Sequence, residues 1–215
     1  MRADRSDPMT LYVATKNAGK MRELEQLFAG SPFALATFEG YADPVEGDTS
    51  YADNAALKAR ALRAQLTAAG VAGAVLADDS GLEVVALGGR PGVLTADYGG
   101  AGLSWSERRR MLLDELAATG GADRRARFVC ALHFIGPDGG EVAAAAHVDG
   151  EIAPEERGEL GFSFDPVFFY PPAGRTFAEL SAAEKNRVSH RARAAAALLE
   201  AMAIAAPSVR GDPVS

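Results

Sequence analysis

Apolar residues recur along this chain with two periods, and the elements change where the period changes. LYVAT (11–15) is an unbroken apolar run and predicts a buried strand. Met21, Leu24, Leu27 and Phe28 then repeat at helical spacing. FALATF (33–38) alternates apolar and small residues and predicts a second strand. The polar loop GYADPVEGDTS leads to a long helix from near Tyr51, with Ala55, Ala59, Leu62 and Leu66 on its apolar face and Ser50 and Asp53 at capping spacing. AVLA (74–77) predicts a short strand, DDSG a turn at its end, and LEVVAL (82–87) a return to strand. GGRPGV is rich in turn formers. Ser104 and Glu107 cap the next helix, which holds Met111, Leu112, Leu113 and Leu116. RFVCALHFI (127–135) and EVAAAAHVDGEI (141–152) predict an antiparallel hairpin around GPDGG. A last helical stretch runs through Leu198, Leu199 and Met202. Interleaved strands and helices with one late hairpin predict an α/β fold on a mixed sheet. The expected organisation is a single domain over 10–206 with two lobes around a cleft, between flexible tails at 1–9 and 207–215.

Composition narrows the class. The chain has 215 residues, 48% of them hydrophobic, enough for a substantial core. A net charge of −7 disfavours general nucleic-acid binding but permits a local basic pocket for a small phosphorylated ligand. Cys130 is the single cysteine, so neither an internal disulfide nor a cysteine metal site is available, and a buried strand thiol is expected. No run approaches the ~18 apolar residues of a membrane span and no signal peptide opens the chain, so a cytoplasmic location is expected. Of 22 basic residues only Lys16, Lys20, Lys58 and Lys185 are lysines, and each falls in a segment with chemical promise.

The first such segment is the strand-to-helix junction TKNAGK. Lys16 and Lys20 stand at a helix N-terminus that already carries partial positive charge, which points to a bound anion, phosphate above all. Asp78 and Asp79 stand side by side where a strand is expected to end. A dication relieves their repulsion, and magnesium prefers such oxygens together with phosphates; a solvated turn is the structural alternative. In GFSFDPVFFYP, Phe162 and Phe164 bracket Ser163 and offer rings for a flat base, or else a loop that plugs the core. In AELSAAEKNRVSHRA, Ser181 and Glu184 form a capping box, while Lys185, His190 and Arg191 supply donors. One straight helix would not put those three on one face, so either the helix bends or they reach different parts of a ligand. Asn54 and Lys58 share a helix face at i, i+4, as a ligand contact or a solvated flank. Together these segments describe a site for a magnesium-bound nucleotide.

The order TKNAGKMRE, YADNAALKARA, LADDSGLEVVALGGRPGV, GFSFDPVFFYP, AELSAAEKNRVSHRA resembles the inosine triphosphate pyrophosphatase family from about Leu11 to Met202. The resemblance implies an elongated two-lobed α/β fold, a homodimer, Mg²⁺ dependence, and hydrolysis of ITP, dITP and XTP to the monophosphate and pyrophosphate. It implies that Thr15, Lys16, Asn17, Ala18, Gly19 and Lys20 hold the triphosphate. It makes Asp79 the magnesium-binding base, with Glu46 or Asp78 as a second metal ligand and Ser80 against substrate. Phe162, Ser163, Phe164 and Asp165 would hold the base and sugar, Lys185, His190 and Arg191 would complete recognition, and Lys20, Lys58 and Lys185 would neutralise developing charge. The chain departs from the family pattern in Lys16 for a usual Gly, Asp97 in a usual S-A-R-Y, Ser163 for Gly and Phe164 for Tyr. Two rival readings are a pyrophosphatase for modified pyrimidine triphosphates and a nucleotide sensor without catalysis.

Overall fold

The structure is a computed structural model that describes residues 8–48 and 50–205. The tails expected at 1–9 and 207–215 lie outside the described residues except for Pro8 and Met9, and Met9 already opens the first strand.

Seven strands form one mixed sheet in the order β2-β1-β3-β4-β5-β6-β7. β1 (Met9–Ala14) runs parallel to β2 (Phe33–Ala36) and to β3 (Ala74–Val84). The remaining pairs are antiparallel: β3 with β4 (Arg125–Ile135), β4 with β5 (Glu141–Ile152), then β6 (Phe168–Tyr170) and β7 (Arg175–Thr176). The expected hairpin is therefore β4–β5, joined by residues 136–140.

Alternation along the strands divides the core. On one face Leu11, Val13, Leu76, Cys130 and Leu132 pack against Leu24 of α1 (Ala18–Leu27), Phe28 at its C-terminal cap and Leu198 of α5 (His190–Ala205). Further along that face Leu82, Val84, Phe128 and Val148 pack against Leu112 and Leu116 of α3 (Trp105–Ala118) and against Phe164, Phe168 and Phe177. The opposite face meets α2 (Tyr51–Ala68), whose expected apolar stripe, Ala55, Ala59, Leu62 and Leu66, is fully buried. Burying a leucine there contributes about 1.5–3 kcal/mol relative to exposure.

One element differs from the sequence expectation, and one alternative left open is decided. DDSG is not a turn: β3 runs unbroken from Ala74 to Val84, and Val85–Leu87 form a 3-10 turn instead of continuing as strand. Polar residues are tolerated inside this strand because charged partners wait on both faces of the sheet. The last helical stretch is two helices, α4 (Ala182–Val188) and α5, separated at Ser189 by an extended ψ of 157°. The Ser189 hydroxyl accepts from Ala192 N at 3.2 Å and so caps α5, and the Ser181–Glu184 capping box starts α4.

Candidate active site

A cavity of about 500 Å³, within the size range of small-molecule sites, is lined by residues from both faces of β3. Its lining includes Thr15, Lys16, Asn17 and Lys20 from the β1–α1 junction and Glu46, Asn54 and Lys58 from the loop and helix that follow β2. β3 contributes Asp78, Asp79 and Ser80; the later segments add Phe162, Ser163, Asp165, Lys185, His190 and Arg191. Five segments far apart in sequence thus meet in one hollow.

The two aspartates do not act as a pair. Adjacent residues of a strand point to opposite faces, and their partners confirm it. Asp78 meets Lys20 Nζ at 2.6 Å, Arg191 Nε at 2.8 Å and the Ser80 hydroxyl at 3.0 Å. The Cys130 thiol adds a weak donor at 3.2 Å. Burial would raise the Asp78 pKa, but Arg191 and Lys20 prevail and hold it well below the usual carboxylate range. The expectation of Asp78 as a metal ligand beside Asp79 is therefore corrected: its oxygens are taken by two cations and face away from Asp79.

Asp79 faces α2. Its Oδ1 accepts from Lys58 Nζ at 2.7 Å and its Oδ2 from Asn54 Nδ2 at 3.3 Å. Lys58 Nζ also meets Glu46 Oε2 at 3.0 Å, so two carboxylates converge on one cationic group. Desolvation pushes the Asp79 pKa up, with Glu46 adding and Lys58 and Lys20 opposing. Burial alone would lower the Lys58 pKa; Asp79 and Glu46 outweigh it and raise it. Asn54 exchanges hydrogen bonds at 2.9 Å with both Gly47 N and Gly47 O, which fixes the backbone next to Glu46. The helix flank at Asn54 and Lys58 is thus buried, not solvated.

At the opening junction the amide has a structural job. Asn17 Oδ1 accepts from Gly19 N at 2.8 Å and Lys20 N at 3.2 Å, so it caps α1. Thr15 Oγ1 accepts from Asn17 N at 3.1 Å. Lys20 turns inward to Asp78, whereas Lys16 reaches outward to Asp43 at 2.9 Å. Ala18 and Gly19 stand outside the cavity lining; a Cβ on Gly19 would meet the Phe162 ring at 2.8 Å.

Of the two expected rings, Phe162 faces the hollow, with Lys185 Nζ 5.0 Å and Arg191 Cζ 5.8 Å from its ring centre. The expected pairing of Phe162 with Phe164 as base-stacking rings is corrected. Phe164 is fully buried against Trp105 at 5.6 Å and Tyr98 at 6.1 Å and does not line the cavity, because the chain reverses between the two rings. Asp165 is a buried anchor: its Oδ2 accepts from Phe162 N at 2.7 Å and pairs with Lys185 Nζ at 2.5 Å. Burial raises its pKa against the pull of Lys185.

The break at Ser189 lets Lys185, His190 and Arg191 enter one site although they lie on two helices. His190 stacks on Phe128 at 4.7 Å, and its Nδ1 is buried without a partner. Burial, with Arg191 and Lys185 nearby, holds its pKa well below the ordinary histidine value, so the ring is neutral. Glu23 was not singled out by the sequence reading. It pairs with Lys185 at 2.6 Å and with Arg191, and those two charges overcome desolvation to lower its pKa. Its signal was spacing: Lys20 and Glu23 stand at i, i+3 on α1. Thr95, Trp105 and Phe128 also line the cavity without having been expected there.

A family model described as the Ham1 family matches residues 11–201. The chain belongs to the Ham1 family. A relative from Thermus thermophilus, named dITP/XTP pyrophosphatase, is 45% identical over 90% of this chain and 91% of its own length. One of the same name from Geobacillus kaustophilus is 44% identical over 86% of this chain and 89% of its own. Among solved structures, a HAM1 protein from Coxiella burnetii superposes with a TM-score of 0.77 at 32% identity, covering 91% of this chain and 99% of that one. A nucleoside-triphosphatase / dITP/XTP pyrophosphatase from Mycobacterium abscessus gives 0.67 at 37% identity over 89% and 99%. Set in this Ham1 chain, the four departures have definite places. Lys16 is held at the rim, Asp97 lines the cavity on an exposed 3-10 turn, Phe164 is core, and Ser163 carries a positive φ of 58°.

Proposed function

We propose that this Ham1 protein hydrolyses non-standard purine nucleoside triphosphates, ITP, dITP and XTP, to the monophosphate and pyrophosphate, with magnesium, as a cytoplasmic homodimer. The observation that carries the reading is the meeting of Asp79 and Glu46 on one cationic group beside Lys20, inside a cavity walled by Phe162, Trp105 and His190.

The donor set fits magnesium. Asp79 and Glu46 offer hard carboxylate oxygens to a position now held by the Lys58 ammonium, a stand-in for a cation. An ion held by these two carboxylates would complete its shell with water and phosphate oxygens. When bound, magnesium neutralises phosphate charge and favours a water as nucleophile. Asp79 and Glu46 would hold it. Asp79 would also accept the proton of the attacking water. Lys58 and Lys20 stabilise negative charge on the phosphates, and Asp78, Glu23 and Asp165 hold Lys20, Arg191 and Lys185 in place. Asp78 enters as the counter-ion of this cation row and not as a ligand.

Selectivity follows from donors. A 6-keto purine accepts hydrogen bonds where adenine donates, so a fixed donor set leaves buried groups unpaired when adenine enters. His190, neutral and with Nδ1 free, is suited to read a purine edge, and Phe162 to cover its face.

The experiment is pyrophosphate release from dITP by Asp79→Asn and Glu46→Gln with magnesium varied. Asp79→Asn is expected to lose turnover by at least about 10³-fold and Glu46→Gln to need more magnesium for half-maximal rate. Wild-type turnover by Asp79→Asn would refute the assignment; tight ITP binding by the wild type with no product would favour a sensor.

A further inference from the structure

We infer that Arg109 is a positioning residue for the nucleotide site: its guanidinium locks the turn that carries Phe162 and Asp165, and Ser163 makes this chain depend on that lock. The inference rests on the proposed reading of the cavity as the nucleotide site.

The turn runs from Phe162 to Asp165, closed by Asp165 N donating to the Phe162 carbonyl at 3.1 Å. Its second residue, Ser163, has φ 58°, and its third, Phe164, has φ −94° and ψ 5°. That combination is the type II′ pattern, whose second position favours glycine because a Cβ crowds the backbone there. Ser163 is the one non-glycine residue with positive φ among the described residues. Types II′ and I′ differ by a flip of the central peptide, and that peptide carries the Ser163 carbonyl. A donor fixed on this oxygen therefore decides which way the peptide faces.

Arg109 supplies the donor. Its Nη1 donates to the Ser163 carbonyl at 2.8 Å, and its Nη2 pairs with Glu156 at 2.9 Å. The Arg109 side chain is only 13% exposed, so the contact is largely shielded from water. From the turn, order passes in two directions. Phe162 lies against the Gly19 backbone, and Asp165 grips Lys185. Without that donor the Ser163 carbonyl loses the tie that holds the turn, and Ser163 relaxing from its positive φ toward negative φ would carry Phe162 and Asp165 out of register. Asp79 sits on the far face of β3 and is untouched, so the deficit falls on nucleotide affinity rather than on chemistry.

The test is a cycle of R109A, S163G and the double variant, with R109K as the conservative control. Pyrophosphate release from dITP gives KM and kcat. Trp105, the single tryptophan and 5.6 Å from Phe164, reports on the turn by fluorescence without nucleotide. R109A is expected to raise KM about tenfold with kcat within about twofold, R109K to fall between, and R109A in the S163G background to raise KM less than about threefold. Trp105 emission should shift in R109A and return in the double variant. An equal KM penalty in both backgrounds, or an R109A protein with wild-type KM and emission, overturns the inference. Where R109A does not fold, E156Q should raise KM in the same direction, and an unchanged KM overturns it. If wild-type protein fails to hydrolyse dITP, the functional reading falls while the fluorescence cycle still decides the lock.

Discussion

Asp78 and Asp79 show how one residue step changes a role. Burial acts on both carboxyls, but Asp78 receives two cations and its pKa falls, whereas Asp79 shares Lys58 with Glu46 and its pKa rises. The charge of Asp78 therefore stabilises the fold and the charge of Asp79 does not. Replacing Asp78 by Asn leaves Lys20 and Arg191 facing each other in the core and should cost about 3–5 kcal/mol in urea unfolding. Asp79→Asn should cost distinctly less; an equal loss would contradict the electrostatic division. His190 adds a pH dependence. Its folded pKa is depressed, so its contribution is intact above the ordinary histidine value and is lost as pH falls toward the folded value, because the unfolded chain takes up a proton that the fold refuses. Unfolding free energy should decline below about pH 6.5 with a slope of up to about 1.4 kcal/mol per pH unit from this group, and His190→Phe should flatten it. Residue identities at the site were legible because cations, carboxylates and aromatics in such short segments have few other uses. Partnerships were not: that Glu23 binds Lys185 and Arg191 depends on how α1 meets α4 and α5, which no local pattern encodes.

At the scale of elements, periodic segments were read well and polar interruptions poorly. The stripe of α2 and the β4–β5 hairpin follow directly from apolar spacing. DDSG reads as a turn in isolation, because only tertiary partners on both sheet faces make a polar strand interior tolerable. The break at Ser189 lay between two alternatives that sequence spacing left open, and it is this break that brings His190 and Arg191 beside Lys185. Ser189→Ala removes the hydroxyl that accepts from Ala192 N and should cost about 1 kcal/mol, read as a lowered Tm. Leu62→Ala, in the α2 stripe, should cost about 2–5 kcal/mol by creating a cavity. A Ser189→Ala protein with unchanged Tm would show that the break is held by packing and not by the cap.

At the scale of the molecule, an acidic chain concentrates all four of its lysines in the lining of one cavity. Five segments separated by up to about the whole length of the chain must converge for that to happen, and the sheet order, with β3 and β4 central, provides the meeting place. The motif order disclosed the family; the split of the two aspartates between faces came only from the built sheet. The most direct measurement is pyrophosphate release from dITP, ITP and XTP beside dATP and dUTP, each with and without magnesium. The account predicts magnesium-dependent turnover of the 6-keto purines, with kcat/KM for dATP lower by about 10²–10⁴-fold. Equal turnover of dATP or dUTP, or turnover unaffected by removing magnesium, would contradict it.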